Sequence, residues 1–90
     1  MKLKTERRYD NGLKKLLSSV PHALDKLERL VSEVQKSPRS GIGHPEQLKG
    51  YRPRVVWSRH ITAKHRLVYE IKDNDDCIVF LSCYGHYKDH

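Results

Sequence analysis

The spacing of the apolar residues changes once along this chain, and that change limits which folds the chain can adopt. Before residue 37 they recur every three or four positions, as on one side of an α-helix. After residue 54 they alternate with polar residues or form a short continuous run, which is typical of β-strands. Turn-forming residues fill the segment 37–41 between the two halves. The pattern therefore predicts an α+β domain in which helices precede a sheet.

The helical pattern is interrupted at Pro21. Apolar residues form one stripe before this proline and a second stripe after it, namely Leu13, Leu16, Leu17 and Val20, then Leu24, Leu27, Leu30, Val31 and Val34. Proline suits the first turn of a helix but breaks a helix interior. We therefore expect a helical hairpin over about residues 8–36, packed through its stripes on one face of the sheet.

Three segments of the second half have the composition of strands, at residues 55–61, 66–71 and 77–84. In the first of them, alternation puts Trp57, Arg59 and Ile61 on one face. The third is apolar at nearly every position, as expected of a strand covered on both faces. With a further short strand near residues 2–5, the prediction is a twisted, mostly antiparallel sheet of about four to five strands.

The length and charge of the chain limit its number of domains and the class of partner that it can bind. Ninety residues suit one domain, 1–90, with a helical part at about 8–36 and a sheet and active-site part at about 41–87. Lys and Arg total 18 against 11 Asp and Glu, and the net charge of +7 favours a polyanionic partner. Arg7, Arg8, Lys14 and Lys15 form a basic patch that fits either a nucleic acid or an acidic protein. With no run long enough to cross a membrane and no secretion signal, we expect a soluble, cytoplasmic protein.

A set of polar groups could cleave RNA without a metal once the strands lie side by side. Glu46 precedes the sheet, Arg59 and Arg66 lie on two strands expected to be adjacent, and His86 and Tyr87 follow the last strand. Attack by the ribose 2′-OH requires a base, cations that stabilise charge on the phosphate, and an acid for the 5′ leaving oxygen. A carboxylate, arginines and a histidine can fill these roles.

Four segments in this order resemble the YoeB/Txe family of bacterial toxins within the RelE-like group: GIGHPEQLKG at 41–50, WSRHI at 57–61, HRLVYE at 65–70 and CYGHY at 83–87. The resemblance implies the RelE-like microbial RNase fold and a type II toxin that cleaves messenger RNA in the ribosomal A site. It also implies inhibition by a YefM/Axe-type antitoxin, and contact with operator DNA only through the antitoxin complex. A homodimer is compatible with it, and no cofactor or metal is needed.

The resemblance also assigns roles to individual residues. Glu46 matches the general base, Arg66 the phosphate-stabilising arginine, His86 the general acid, and Tyr87 the tyrosine that orients the nucleotide. Lys49 and Arg59 match basic positions that contact the RNA backbone. The implied products are a 2′,3′-cyclic phosphate and a 5′-hydroxyl.

Three features depart from the family pattern. The loop between Lys49 and Trp57 is about one residue longer than usual, and Arg52 and Arg54 make it more basic. His60 stands where the family often has a second arginine. Residues 88–90 extend past Tyr87, where many relatives end.

Other functions remain open from the sequence. A member of the same fold that acts only by binding would be inactive or, like ParE-like proteins, would act on gyrase, whereas a general RNA-binding domain would bind without ribosomes. Arg59 and Arg66 could instead form a charge ladder with Glu70. The spacing of Cys83, His86 and His90 raises a metal site as a further alternative.

Overall fold

The computed structural model describes residues 1–85. Its helices and strands follow one another as β1 (Lys2–Thr5), α1 (Arg7–Ser19), α2 (Ala23–Lys36), β2 (Glu46–Gln47), β3 (Val56–His60), β4 (Arg66–Lys72) and β5 (Cys77–Ser82). Short 3₁₀ helices lie at Lys49–Tyr51 and Asp73–Asp75. The predicted α+β order, with a helical hairpin before a sheet, is confirmed.

The two helices form a hairpin that turns at Pro21. The amide of Val20 donates to the Leu16 carbonyl, which closes α1, and the amide of Ala23 donates to Val20 as the chain turns. Most of the predicted stripe is buried or half-buried on the sheet, although Leu17 is exposed. None of the helices in the described residues is long and apolar enough to cross a membrane.

Within residues 1–85, the sheet has five strands in the order β1-β5-β4-β3-β2. Neighbouring strands are antiparallel except for β1, which pairs in parallel with β5 at the edge. All four residues of β1 are exposed, so this strand is held through backbone pairing and has little apolar pattern. This explains why its sequence signal is weak.

Each face of the sheet has its own apolar cluster. The face toward the helices contains Leu67, Tyr69 and Ile71 of β4, as the alternation predicts. On the opposite face, Val56 and Val68 pack with alternate residues of β5 and with Leu48 from the loop after β2. Because β5 contributes to both clusters, its continuous apolar run is explained.

A bulge changes the direction of the chain at the end of β5. Tyr69 pairs with Phe80 but Val68 pairs with Ser82, so β5 has one extra residue at Leu81. Phe80 and Cys83 consequently both join the helix-side cluster, although strict alternation would separate them. The bulge thus sets the orientation in which the chain leaves the sheet toward Gly85.

Candidate functional site

Glu46 and Arg66 lie on the sheet face that the helices leave open. Glu46 pairs with Ser58 across β2 and β3, and Arg66 pairs with His60 across β3 and β4. Ser58 and His60 are two residues apart and therefore share a face. Two strand spacings across and two residues along put the Cα atoms of Glu46 and Arg66 roughly 12 Å apart. Long side chains from both positions can reach one bound nucleotide.

Arg66 is half-buried and is held by the turn before it. Its Nη1 donates to the carbonyl oxygens of Thr62 and Ala63 at 3.0 Å each, and to that of His65 at 3.3 Å. Within residues 1–85, no acceptor is bound to Nε or Nη2. The guanidinium is therefore fixed in place while retaining donors for a phosphate.

Lys49 lies beside Glu46, three residues further along the chain. Both side chains are exposed and line a shallow hollow of about 520 Å³ formed by residues 46–51. The 3₁₀ helix Lys49–Tyr51 carries the lysine. Leu48 anchors this segment in the apolar cluster on the open face of the sheet, away from the helices. The structure thus brings Lys49 to the same open face as Glu46 and Arg66.

The chain that leads to the remaining predicted residues is anchored at Gly85. The amide of Arg66 donates to the Gly85 carbonyl at 3.0 Å, and the amide of Gly85 donates to His65 Nδ1 at 2.8 Å. His86 and Tyr87 lie outside the described residues, so their predicted roles stay predictions. Their chain neighbour Gly85 is nevertheless bonded directly to the residue predicted to hold the phosphate.

Arg59 is not part of this site, because its side chain is 0% exposed on the helix-covered face. Its Nε donates to the Tyr69 hydroxyl at 3.0 Å and Nη1 donates to the Ile42 carbonyl at 3.2 Å. Nη2 donates to the carbonyls of Ser37 and Ser40 at 2.6 and 2.9 Å. A guanidinium enclosed in this way cannot contact RNA in this conformation, so we replace the predicted RNA-binding role with a structural one.

The structural role of Arg59 is to hold the loop that leads to Glu46. Gly43 in this loop has a φ of 84°, and a Cβ there would lie 2.7 Å from Leu30 and 3.2 Å from the Cβ of Arg59. The Gly43 carbonyl also accepts the amide of His60 at 2.7 Å. Because the loop is tied to the sheet just before Glu46, Arg59 supports the site from the other side of the sheet.

The alternative of a charge ladder among Arg59, Arg66 and Glu70 is not formed, because Glu70 pairs with Arg54. Arg54 donates to the Glu70 carboxylate at 2.8 Å through Nη2 and at 3.3 Å through Nε. Arg54 comes from the long loop before β3 and also lies over the Tyr51 ring, with 5.7 Å to its centroid. Arg54, one of the two arginines that make this loop more basic, thus has a partner within the protein.

A basic cleft of about 520 Å³ adjoins the anchored Gly85, between α1 and the ends of β4 and β5. Its described lining contains no carboxylate. It contains four cationic side chains, those of Arg7, Arg8, Lys15 and Lys64. Lys15 Nζ lies 6.0 Å from the centroid of the Tyr84 ring. The sequence indicated the basic residues of α1, but Lys64 and Tyr84 join them only through the fold.

The alternative of a metal site at Cys83, His86 and His90 loses Cys83 as a ligand. Cys83 is fully buried in the helix-side cluster, where its thiol donates to the Tyr9 carbonyl at 3.7 Å. Burial raises the pKa of the Cys83 thiol to about 12, which disfavours the thiolate that binds metals. Residues 1–85 contain no cluster of three or more His, Cys, Asp or Glu side chains suited to a metal. His86 and His90 lie outside the described residues.

Comparison with known sequences points to one toxin family. The family described as the YoeB-like toxin of bacterial type II toxin-antitoxin systems matches residues 11–87. The chain is 41% identical to Toxin YoeB of Synechocystis sp. over 69 residues, covering 72% of each chain. It is 39% identical to Toxin YoeB of Escherichia coli K12 over 62 residues, covering 69% of this chain and 70% of that one.

Solved structures share the fold over nearly the whole chain. The YoeB/ParE toxin from Agrobacterium tumefaciens has a TM-score of 0.84 and 30% identity, covering 97% of this chain and all of the other. The YoeB dimer from Staphylococcus aureus has a TM-score of 0.81 and 27% identity, covering 97% and 98%. The S. aureus heterotetrameric YoeB-YefM toxin-antitoxin complex has a TM-score of 0.76 at the same identity and coverage. This protein therefore belongs to the YoeB-like toxins of bacterial type II toxin-antitoxin systems.

Proposed function

We propose that this toxin is a metal-independent endoribonuclease that cleaves messenger RNA in the ribosomal A site. The observation that carries the proposal is the shared open face of Glu46, Lys49 and Arg66, next to the anchored residue that precedes His86. These residue types match the base, the cations and the acid that cleavage by the ribose hydroxyl requires.

The proposed reaction assigns one step to each group. Glu46 removes the proton of the 2′-OH, and the resulting oxygen attacks the adjacent phosphorus. Arg66 and Lys49 stabilise the negative charge that grows on the phosphate oxygens. The bond from phosphorus to the 5′ oxygen breaks, and His86 donates a proton to that oxygen while Tyr87 orients the nucleotide. The products are a 2′,3′-cyclic phosphate and a 5′-hydroxyl.

The basic cleft supports an RNA substrate. Its four cations and the Tyr84 ring adjoin Gly85, so an RNA strand on the open face could continue past the cut site along positive surface. Lys and Arg bind phosphates through charge and hydrogen bonds, and an aromatic ring offers a stacking surface for a base.

We also propose that a YefM-type antitoxin inhibits the toxin, as the S. aureus YoeB-YefM complex suggests. Its acidic residues would compete with RNA for the same cations, and operator DNA would be contacted only through that complex. A homodimer of the free toxin, as described for S. aureus YoeB, is proposed on the same basis. A cytoplasmic location follows from the ribosome as partner.

The decisive experiment maps messenger 5′ ends in a cell-free translation reaction, with and without ribosomes. We expect wild-type toxin to cut at A-site codons only when ribosomes are present. Glu46→Gln should lower the cleavage rate about 10²- to 10⁴-fold, because it removes the general base and preserves the shape of the side chain.

The matched control is Glu28→Gln, the same change at an exposed position on α2. It should cut like wild type. If wild type fails to cut although the protein is folded, the toxin acts only by binding. If it cuts naked RNA equally well, ribosome dependence is wrong.

A further inference from the structure

His65 is a buried titratable residue beside the proposed site that the proposed chemistry leaves without a role. Its side chain is 3% exposed, and its amide donates to Thr62 Oγ1 at 3.0 Å. Its carbonyl accepts the amides of Ile61 and Thr62 at 3.0 and 3.2 Å. The imidazole stacks on the Tyr84 ring, with 4.6 Å between centroids and an angle of 30°. The position and orientation of this ring are therefore fixed by both its backbone and its neighbour.

The imidazole holds the backbone of Gly85 from one side. The Gly85 amide donates to His65 Nδ1 at 2.8 Å, while the Gly85 carbonyl accepts the amide of Arg66 at 3.0 Å. Gly85 has a φ of 84°, a conformation that other residues rarely adopt. Both polar backbone groups of this residue are thus bound by two consecutive residues at the start of β4.

We propose that neutral His65 is a positioning residue, whose Nδ1 holds Gly85 and so sets the point from which the chain continues to His86 and Tyr87. This inference rests on the proposed function, because it takes His86 and Tyr87 as members of the reacting site. His65 acts through Gly85 and does not touch the RNA. The hydrogen bonds that His65 Nδ1 and the Arg66 amide make to Gly85 form a clamp on this residue. Arg66 therefore has two tasks, since its amide completes the clamp and its guanidinium binds the phosphate in the proposed reaction.

The clamp depends on the protonation state of His65. Nδ1 accepts a hydrogen bond only when it carries no proton, so the proton of the neutral ring must be on Nε2. Among residues 1–85, the charged groups that act on the ring are cations: Lys64 and Arg66 beside it, and Lys15 of α1 on the Tyr84 ring. Burial, followed by the charges of Lys64 and Arg66, lowers the pKa of His65 below 6.5. The clamp is therefore present at neutral pH and is lost as the pH falls through that lowered pKa.

Two substitutions of His65 distinguish the contribution of its hydrogen-bond acceptor from that of its aromatic ring. His65→Phe keeps a ring against Tyr84 but has no acceptor, whereas His65→Asn offers an amide oxygen near the position of Nδ1 and does not titrate. In the ribosome-dependent assay we expect His65→Phe to lower kcat about tenfold with KM unchanged, as for a lost hydrogen bond. His65→Asn should recover to within about threefold of wild type. Equal kcat for wild type and His65→Phe would overturn the proposal.

A pH profile adds a readout that a purely structural role would not change. Glu46 and His86 are present in wild type and in His65→Asn, so only the titration of His65 differs between them. We expect kcat of wild type to fall more steeply on acidification than kcat of His65→Asn. Superimposable profiles would show that titration of His65 does not control the clamp.

Amide exchange in the free toxin tests the clamp without any cleavage. We expect the Gly85 amide to exchange slowly by NMR at pH 7 in wild type and in His65→Asn, and rapidly in His65→Phe. In wild type the protection should disappear on acidification, which tests the bond even if His65→Phe does not fold. A Gly85 amide that exchanges rapidly in wild type at pH 7 would overturn the proposal. A toxin with a protected Gly85 that does not cleave messenger would instead refute the proposed function.

Discussion

Arg59 and Arg66 lie on neighbouring strands, but the sheet places them in opposite environments. Arg59 is on the helix-covered face, where its guanidinium is enclosed by a hydroxyl and three carbonyl oxygens. Arg66 is on the open face with donors left for a ligand. The difference follows from the side-chain alternation, since Arg59 pairs with Leu67 and Arg66 with His60. One residue of register thus separates an arginine that stabilises the fold from one suited to bind a phosphate.

The largest expected effect concerns Arg66. By the proposed mechanism, Arg66→Ala should lower ribosome-dependent cleavage about 10²- to 10³-fold, because it removes a donor that we assign to the transition state. The free energy of unfolding should change by about 1 kcal/mol or less, because the hydrogen bonds of the Arg66 guanidinium are made to a surface turn. Cleavage rates and urea unfolding of the same preparation measure both quantities.

The control for that comparison is Arg29→Ala, the same change at an exposed position of α2. It should leave both quantities near their wild-type values. Strong destabilisation by Arg66→Ala with proportionate loss of cleavage would mean that both arginines are structural, and the contrast between the two faces would fail.

Arg59 should show the reverse behaviour. Arg59→Met leaves buried acceptors without a donor and should lower the free energy of unfolding by about 3 kcal/mol. For a domain of this size, the melting temperature should fall by more than about 10 °C. Calorimetry or thermal denaturation followed by circular dichroism measures the change. An unchanged melting temperature together with lost cleavage would assign Arg59 to the RNA after all.

A smaller effect is expected at alkaline pH, also from the helix-covered face. Burial raises the pKa of Cys83 and of Tyr9 to about 12, from 9.0 and 10.0. Both groups stay protonated in the folded protein after they ionise in the unfolded chain. Stability is therefore full below pH 9 and falls as the pH rises toward 12, by at most about 1.4 kcal/mol per pH unit for each group.

Urea unfolding at pH 8 and pH 10 measures this slope. Cys83→Ala removes one of the two groups and should make the decline shallower, at some cost in packing at both pH values. Equal declines in wild type and Cys83→Ala would show that the thiol is not protected by burial as the fold indicates.

The sequence points to the residues of the candidate site, and where the structure differs from the expectation the causes are identifiable. The alternation of side chains put Arg59 on the same face as Trp57 and Ile61, and this face packs against the helices. The resemblance nevertheless assigned Arg59 to contact with RNA. The clamp of His65 on Gly85 had no local signal, because the two residues are 20 positions apart. The same holds for the pairing of Glu70 with Arg54, which takes the place of the alternative charge ladder.

The sequence by itself determined the helical hairpin, the strands from β3 to β5 and the faces of their side chains. These depend on periods of 3.6 and 2 residues, which are local properties of the backbone. Only the tertiary structure decided the parallel pairing of β1, the enclosure of Arg59 and the anchoring of Gly85 beside Arg66. Each of these depends on contacts between distant segments, and such contacts are set by packing and hydrogen-bond satisfaction rather than by spacing along the chain.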